Sequence, residues 1–201
     1  MRVDEIKKQE EEEKEGKEET LRVYLAFRDG FFQRLREFSD EAVEAGVEGA
    51  CACRETDLNG GILQLDFTLN KAELVIIAPS DIYWLRDSDG EGLYGDRLAG
   101  KLFLYRSRSA GAKPSIDVAV ERLLNGRYVC EMFCYPETGD PTALFHEWLD
   151  LDTIAETGAH AADRLVDYFY GLKNSWLDHP TLGAFLGRRG EGRRMGFTTS
   201  F

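Results

Sequence analysis

Alternation of apolar and polar residues over the middle of the chain, from Ile62 to Pro136, is the feature that most limits the possible folds. The run that opens this region changes character at every residue, with Leu63, Leu65, Phe67 and Leu69 separated by Gln64, Asp66 and Thr68. Successive side chains of a strand point to opposite faces of a sheet, so this run predicts a strand with one wet face. The middle of the chain is therefore expected to be antiparallel β-structure.

Turn residues divide this region into further strands. Asn70-Lys71 is expected to turn the chain into a second strand over residues 73–78, which makes a hairpin with the first. A third strand is expected from Ile82 to Arg86 and a fourth from Lys101 to Ser107, on either side of a loop rich in Gly and Asp. Because strands that are consecutive in sequence usually pair with each other, the expected topology is a meander.

The segment from Ser115 to Leu124 fits two structures. Its apolar residues alternate as in a strand, but several of them also have helical spacing. Asn125-Gly126 favours the strand, because this pair suits both central positions of a type I′ hairpin turn, and a convincing strand follows over residues 127–135. A helix that Gly126 caps is the alternative.

A helix is predicted before the sheet. An apolar stripe at helical spacing runs from Tyr24 to Ala42, and Gly46 is a suitable helix stop. Asp29-Gly30 interrupts this stripe, and residues 21–27 also alternate. A short strand, a turn and a helix from Phe31 therefore compete with a continuous helix.

Two further helices are predicted after the sheet. Asp140-Pro141 combines an N-cap residue with proline at the first helical position, which predicts a helix toward Leu149. Thr153 and Glu156 have capping-box spacing, and an apolar stripe from Ile154 to Leu172 predicts a helix that ends near residue 174. A short helical segment is expected over residues 181–186.

These elements predict an α+β fold: a single domain with an antiparallel meander sheet of five or six strands, packed by N-terminal and C-terminal helices. Residues 1–20 are interpreted as a charged N-terminal extension, either a solvated helix or a disordered tail. Residues 21–186 form the predicted globular domain, and residues 187–201 form a tail rich in Gly and Arg.

The charge of the chain limits its partners. A formal net charge of −12 disfavours binding to phosphate backbones and to anionic lipid surfaces. Apolar runs of membrane-spanning length and an N-terminal apolar signal region are both absent from the sequence, so no membrane association and a cytoplasmic location are expected. Only the tail is basic, with four arginines against Glu191.

The four cysteines are candidate zinc ligands. Cys51 and Cys53 are two residues apart, and Cys130 and Cys134 are four apart, so on strands each pair would share a face. Zinc sites usually draw their cysteines from tight turns, and free cysteine is often buried, so core packing is the favoured interpretation. No cofactor is therefore expected, and zinc is the metal that the four cysteines would bind if they formed a site.

The predicted helix after Thr153 carries a second candidate site. Glu156, His160, Asp163 and Asp167 recur at intervals of three or four residues, opposite the apolar stripe. Carboxylates and an imidazole on one face could bind a divalent metal or act as base and orienter in catalysis. The same residues are also common on any solvated helix face.

A non-enzymatic protein-binding module, as an adaptor, a chaperone-like protein or a regulatory subunit, is the leading functional hypothesis, with a protein partner or a homo-oligomer. It is based on missing catalytic motifs, oppositely charged termini and aromatic residues suited to interfaces, and its candidate contact residues are Trp84, Tyr168, Tyr170, Arg188, Arg189, Arg193 and Arg194. One alternative is a metal-dependent enzyme or metal sensor that uses either candidate site above. The other is a nucleic-acid accessory protein that acts through the arginine tail.

Overall fold

The computed structural model describes residues 2–48, 53–58, 61–85, 95–106, 113–136 and 140–171. These ranges contain two helices and eight strands: α1 (Arg2–Glu44), β1 (Arg54–Leu58), β2 (Ile62–Leu69), β3 (Ala72–Ala78), β4 (Ile82–Leu85), β5 (Arg97–Tyr105), β6 (Ile116–Leu123), β7 (Tyr128–Cys134), β8 (Thr142–Trp148) and α2 (Ile154–Tyr170).

The strands form one antiparallel meander, which confirms the α+β class. Their order across the sheet is β1-β2-β3-β5-β6-β7-β8, and every paired neighbour is antiparallel. The strands β3 and β4 lie end to end along one edge of β5, because β3 pairs with its second half and β4 with its first half. The sheet therefore has eight strands, more than the five or six expected.

The two predicted hairpin turns, between β2 and β3 and between β6 and β7, have different conformations, which the sequence did not indicate. Asn70 and Lys71 both have positive φ, at 44° and 66°, so the two-residue turn between β2 and β3 has the type I′ signature. Between β6 and β7, Gly126 alone has positive φ, and the N–H of Leu123 donates to the carbonyl of Arg127. Residues 116–123 are a strand as predicted, but a three-residue turn follows them instead of a type I′ turn.

The sheet has two faces, and both helices pack on the one that we call the first face. The core combines helix residues such as Phe27, Phe31 and Leu165 with alternate strand residues such as Leu65 and Val118. The hydroxyl of Tyr24 donates to the carbonyl of Lys101 at 2.8 Å across this junction. The alternation predicted for β2 is confirmed, because Leu65, Phe67 and Leu69 all lie in this core.

Helix α1 is continuous over 43 residues, so the competing strand over residues 21–27 was wrong. Tyr24, Phe27, Phe31 and Leu35 are fully buried at helical spacing, and this burial outweighs the local alternation. Residues 2–15 are also helical but entirely exposed. Gly46 ends the helix as predicted: it has a φ of 68°, and the N–H of Val47 donates to the carbonyl of Ala42, as in a Schellman motif.

Asp29-Gly30 does not break α1, and Gly30 lies where the two helices are in close contact. A Cβ atom at Gly30 would lie 2.2 Å from the carbonyl oxygen of Ala155, and one at Gly158 would lie 2.2 Å from the carbonyl oxygen of Phe27. The two glycines therefore permit backbone contact between α1 and α2. The sequence indicated a turn at Gly30 because it could not show the second helix.

Helix α2 begins at Ile154 as predicted, but it ends at Tyr170, before the predicted end near residue 174. Thr153 makes no side-chain capping hydrogen bond, so the predicted capping box is not formed. Gly171 has left-handed dihedral angles, and its N–H donates to the last carbonyls of the helix. The segment predicted over residues 181–186 lies outside the described ranges.

The helix predicted from Asp140-Pro141 was wrong, because residues 142–148 form strand β8 at the edge of the sheet. This strand pairs with β7 through a bulge at Leu144, so that Ala143 lies opposite Phe133 and Phe145 lies opposite Met132. Leu144 and Phe145 are both in the core. The Asp140-Pro141 pair, which had indicated the start of a helix, therefore precedes an edge strand.

Candidate functional site

The second face of the sheet, opposite the helices, carries an unusual set of charged residues. Lys101 on β5 lies two strands from Glu131 on β7, with Ala119 of β6 between them in register. The exposed fraction of each charged side chain in this set is between 2% and 7% of its reference area. We call this set the buried charge cluster: Arg97, Lys101, Asp117, Glu121 and Glu131.

The cluster is organised by ion pairs along and across strands. The Nε of Arg97 donates to Oε2 of Glu121 at 2.5 Å, and both side chains are about 5% exposed. The Nζ of Lys101 lies 3.9 Å from Oδ2 of Asp117. Burial of a charged group costs roughly several kcal/mol unless an opposite charge compensates for it. These ion pairs therefore allow the charged side chains to be buried.

His146 joins the cluster from the edge strand. Its Nδ1 lies 3.2 Å from Oε1 of Glu131, with 18% of the imidazole side chain exposed. The bulge at Leu144 shifts the register by one residue, which places His146 on the second face. His146 therefore lies on strand β8 and not on the helix that had been predicted toward Leu149.

Apolar and aromatic residues surround the charges. Phe103 and Phe133 are each 7% exposed on the second face, and the Tyr83 ring packs edge-on against Phe103 at 6.5 Å. Trp148, in contrast, is 42% exposed, and the guanidinium of Arg127 stacks on it at 4.0 Å. Aromatic rings and arginines beside compensated charges are typical of surfaces that bind polypeptides.

The cluster contains three carboxylates, on Asp117, Glu121 and Glu131, and two cationic groups, on Arg97 and Lys101. Small buried residues, Ala99, Ala119 and Ala143, lie between the charged and aromatic side chains in the strand register. The charged side chains of the second face are thus packed among small and aromatic side chains.

The candidate residues on α2 form a different and more open site. A pocket of about 340 Å³ lies between α2 and β8. It is lined by His160, Asp163 and Arg164 of α2 and by Phe145 and Glu147 of β8. Glu156 is exposed, and Asp167 accepts from Arg164 at 3.2 Å. The structure therefore brings His160 and Asp163 together and adds Glu147 and Arg164, which the sequence-based prediction had not included.

Asp163 also has a structural partner. Its Oδ1 accepts from Nε of Arg34 on α1 at 2.7 Å. Burial alone would lower the pKa of Arg34, but the hydrogen bond and the charge of Asp163, aided by Glu41, raise it overall. This pair joins the two helices, so Asp163 is held in place at the side of the pocket.

The cysteines are distributed over distant strands. Cys53 precedes β1 and is half-buried, whereas Cys130 and Cys134 lie on β7, and four strands separate β1 from β7 in the sheet. Burial raises the pKa of Cys130, and the charge of neighbouring Glu131 adds to this. Among the described residues no group of three or more His, Cys, Asp and Glu side chains could hold a metal ion. Cys51 lies outside the described ranges, so the four-cysteine hypothesis stays a prediction.

The predicted contact residues lie at separate places. Tyr168 is within 3.1 Å of the Cys134 sulfur and accepts from Arg106, while Tyr170 packs edge-on against Phe38. Trp84 on β4 is 39% exposed. The arginines at 188, 189, 193 and 194 lie outside the described residues, so their predicted contacts stay untested.

Sequence reasoning missed the buried charge cluster. The available signal was the recurrence of charged residues at alternate positions in strands of otherwise apolar character, such as Asp117 and Glu121 in β6. Such residues are usually assigned to a wet face, and only the structure shows that these side chains are buried.

Comparison with known proteins provides no family for this architecture. No protein-family model, no curated protein and no solved structure matches the chain. Within the described residues, neither helix is long and apolar enough to cross a membrane.

Proposed function

We propose that the protein is a non-enzymatic polypeptide-binding module, and that the second face of its sheet takes a cationic segment containing aromatic residues. One observation carries this proposal: five charged side chains are almost completely buried on the face opposite both described helices. Complementary charges across an interface contribute to specificity and to the rate of association more than to affinity.

The dimensions and composition of the second face suit a polypeptide. The row from Lys101 through Ala119 and Glu131 to His146 crosses four strands, a width of about 15 Å at the usual strand spacing. Phe103 and Phe133 provide apolar contacts beside this row. At the edge of the sheet, the ring of Trp148 and the guanidinium stacked on it provide an aromatic and cationic contact. A short segment with alternating arginine and aromatic residues could satisfy both kinds of contact.

Peptide binding provides the test. Fluorescence anisotropy would measure the affinity for a labelled peptide of alternating Arg and Phe, and for a peptide in which Glu replaces each Arg. We expect the Arg/Phe peptide to bind more tightly, and Glu131→Gln to weaken its binding about tenfold, equal to about 1.4 kcal/mol.

The matched control is Glu147→Gln, which removes a carboxylate from the neighbouring position of β8 on the first face. This change should leave the affinity unaltered. The measurements should also be made on the full chain with glutamine at positions 188, 189, 193 and 194, so that the chain's own arginines do not compete. Equal binding of the two peptides, or no effect of Glu131→Gln in either background, would refute the proposal.

A second candidate function is a small-ligand site in the pocket between α2 and β8. The polar side chains of His160, Asp163 and Glu147 around about 340 Å³ favour it. Native mass spectrometry of the purified protein tests it, because a retained ligand that is lost in His160→Ala would support the pocket. The cysteine set is a separate zinc hypothesis, and elemental analysis tests it: zinc lost in Cys53→Ser would support the cysteines, and zinc-free protein would exclude them.

A further inference from the structure

The first face of the sheet contains two buried hydrogen-bond donors that no described protein group receives. The hydroxyl of Tyr128 and the Nε of Arg122 are both inaccessible to solvent, and among the described residues neither has a hydrogen-bond partner. Tyr128 as a whole is only 3% exposed. Burial of a polar group without a hydrogen bond is costly, so such groups in native proteins usually bind water or an ion. The two donors therefore indicate a bound acceptor.

The two donors are neighbours beneath α1. Arg122 on β6 lies directly opposite Tyr128 on β7, and both continue the alternate positions of the core residues Val120 and Cys130. Helix α1 covers this end of the strands, because a Cβ atom on Gly16 would lie 3.4 Å from Nη1 of Arg122. One small acceptor held between the helix and these strands can therefore receive a hydrogen bond from each donor.

The groups around the donors limit which acceptor fits. Nη2 of Arg122 lies 3.2 Å from Oε2 of Glu19, so the guanidinium already has a counterion. The buried hydroxyl of Thr20 donates to the carbonyl of Gly16 at 2.6 Å, which leaves its oxygen able to accept. Burial raises the pKa of Tyr128, although Thr20 and Arg122 lower it, so both lie close to its hydroxyl without the geometry of a hydrogen bond. The site thus offers two donors and one acceptor in a small space.

We propose that a single small hydrogen-bond acceptor, either a water molecule or a chloride ion, binds between α1 and strands β6 and β7. It accepts from Nε of Arg122 and from the hydroxyl of Tyr128, and a water molecule would in turn donate to Thr20. Residues 2–15 of α1 are all exposed, so this site lies where the helix first meets the sheet. The inference is independent of the proposed function, because the site is on the first face.

A crystal structure of the full chain tests this inference directly. We expect an electron-density peak within hydrogen-bond distance of both Nε of Arg122 and the hydroxyl of Tyr128. After a bromide soak, anomalous scattering at this peak would assign a halide ion, and a peak without it would assign water. The absence of a peak, or a direct hydrogen bond from either donor to a protein group, would overturn the inference.

A double-mutant cycle in urea denaturation tests the site in solution. Tyr128→Phe removes one donor, and Arg122→Lys removes the Nε–H but keeps a positive charge beside Glu19. Each change should lower the equilibrium constant for folding about fivefold, the usual effect of one lost hydrogen bond. The double variant should lose less than the product of the two effects, because both donors share one acceptor.

The matched control is Tyr105→Phe, which removes a partly exposed hydroxyl and should be close to neutral. Equal or higher stability of Tyr128→Phe would show that its hydroxyl has no partner, since removal of an unsatisfied buried group costs nothing. Fully additive effects of the two substitutions would show that the donors do not share an acceptor. Either result would contradict the bound acceptor.

Discussion

The imidazole of His146 contacts the carboxylate of Glu131 because one extra residue, Leu144, is inserted in β8. Regular pairing continued from Ala143 opposite Phe133 would place His146 opposite Cys130, on the first face; the bulge places it opposite Glu131. A one-residue slip moves every following side chain to the other face of a sheet. The bulge therefore decides both that Trp148 lies beside the charged surface and that Glu147 lines the pocket on α2.

Removal of one partner of the Arg97–Glu121 pair should destabilise the protein more than replacement of both partners by apolar residues. Glu121→Ala leaves the buried guanidinium without this carboxylate, and we expect a loss of about 3–5 kcal/mol in the free energy of unfolding. Arg97→Met with Glu121→Leu should recover most of that loss, because neither charge then has to be buried. Urea denaturation measures both. A single substitution that costs less than about 1 kcal/mol would contradict the burial of this pair.

Two glycines of α1 should respond in opposite ways to alanine. Gly30→Ala forces a methyl group into the backbone of Ala155, so we expect a loss of about 1–3 kcal/mol in stability despite the better helix propensity of alanine. Gly16→Ala would place its methyl group 3.3 Å from the end of the Leu98 side chain, which can shift, so a gain of up to about 1 kcal/mol is expected. Thermal unfolding of the two variants compares them. The close approach of the helices is wrong if both variants are stabilised.

The turn between β2 and β3 should be improved by glycine. Lys71 has a φ of 66°, a conformation that costs free energy for a residue with a Cβ atom, and its ion pair with Glu48 is exposed. We expect Lys71→Gly to stabilise the protein by about 0.5–1 kcal/mol in urea denaturation. Lys71→Ala is the control, since it removes the same ion pair but keeps the Cβ atom. Equal stability of the two variants would argue against the left-handed conformation.

Stability should fall in mild alkali because of Cys130. Burial raises the pKa of this thiol well above its ordinary value of 9.0, so above that pH the unfolded chain binds fewer protons than the native protein. The free energy of unfolding then decreases as pH rises, at up to about 1.4 kcal/mol per pH unit for this one group. Burial also raises the pKa of Tyr24 from 10.0, so the range between pH 9 and 10 reports mainly on Cys130.

Cys130→Ala tests this pH dependence. The variant should lose part of the slope between pH 9 and 10, whatever its stability at neutral pH, whereas Cys53→Ala serves as the control for removal of a half-buried thiol. Denaturation curves at four or more pH values in this range provide the slope. An unchanged slope in Cys130→Ala would show that the thiol is not protected by burial.

Several elements were predictable because their signal is local. The alternation of β2, the hairpin at Asn70-Lys71 and the apolar stripe of α2 each depend on residues that are close in sequence, and each is confirmed. Such patterns work because strand and helix present their side chains at fixed periods of about 2 and 3.6 residues. At β8 the prediction was based on the Asp140-Pro141 cap signal, and it was wrong because pairing with β7 determines the structure of this segment.

The sequence by itself determined the class of this protein: an antiparallel meander, an amphipathic helix on each side of it in the chain, and an acidic character. Only the tertiary structure decided that residues 142–148 pair with β7, that Gly30 meets Ala155, and that Glu131 and its neighbours are buried. The physical reason is the range of the interactions. Periodicity records which face of an element is apolar, whereas burial and register depend on a partner segment that no local pattern contains.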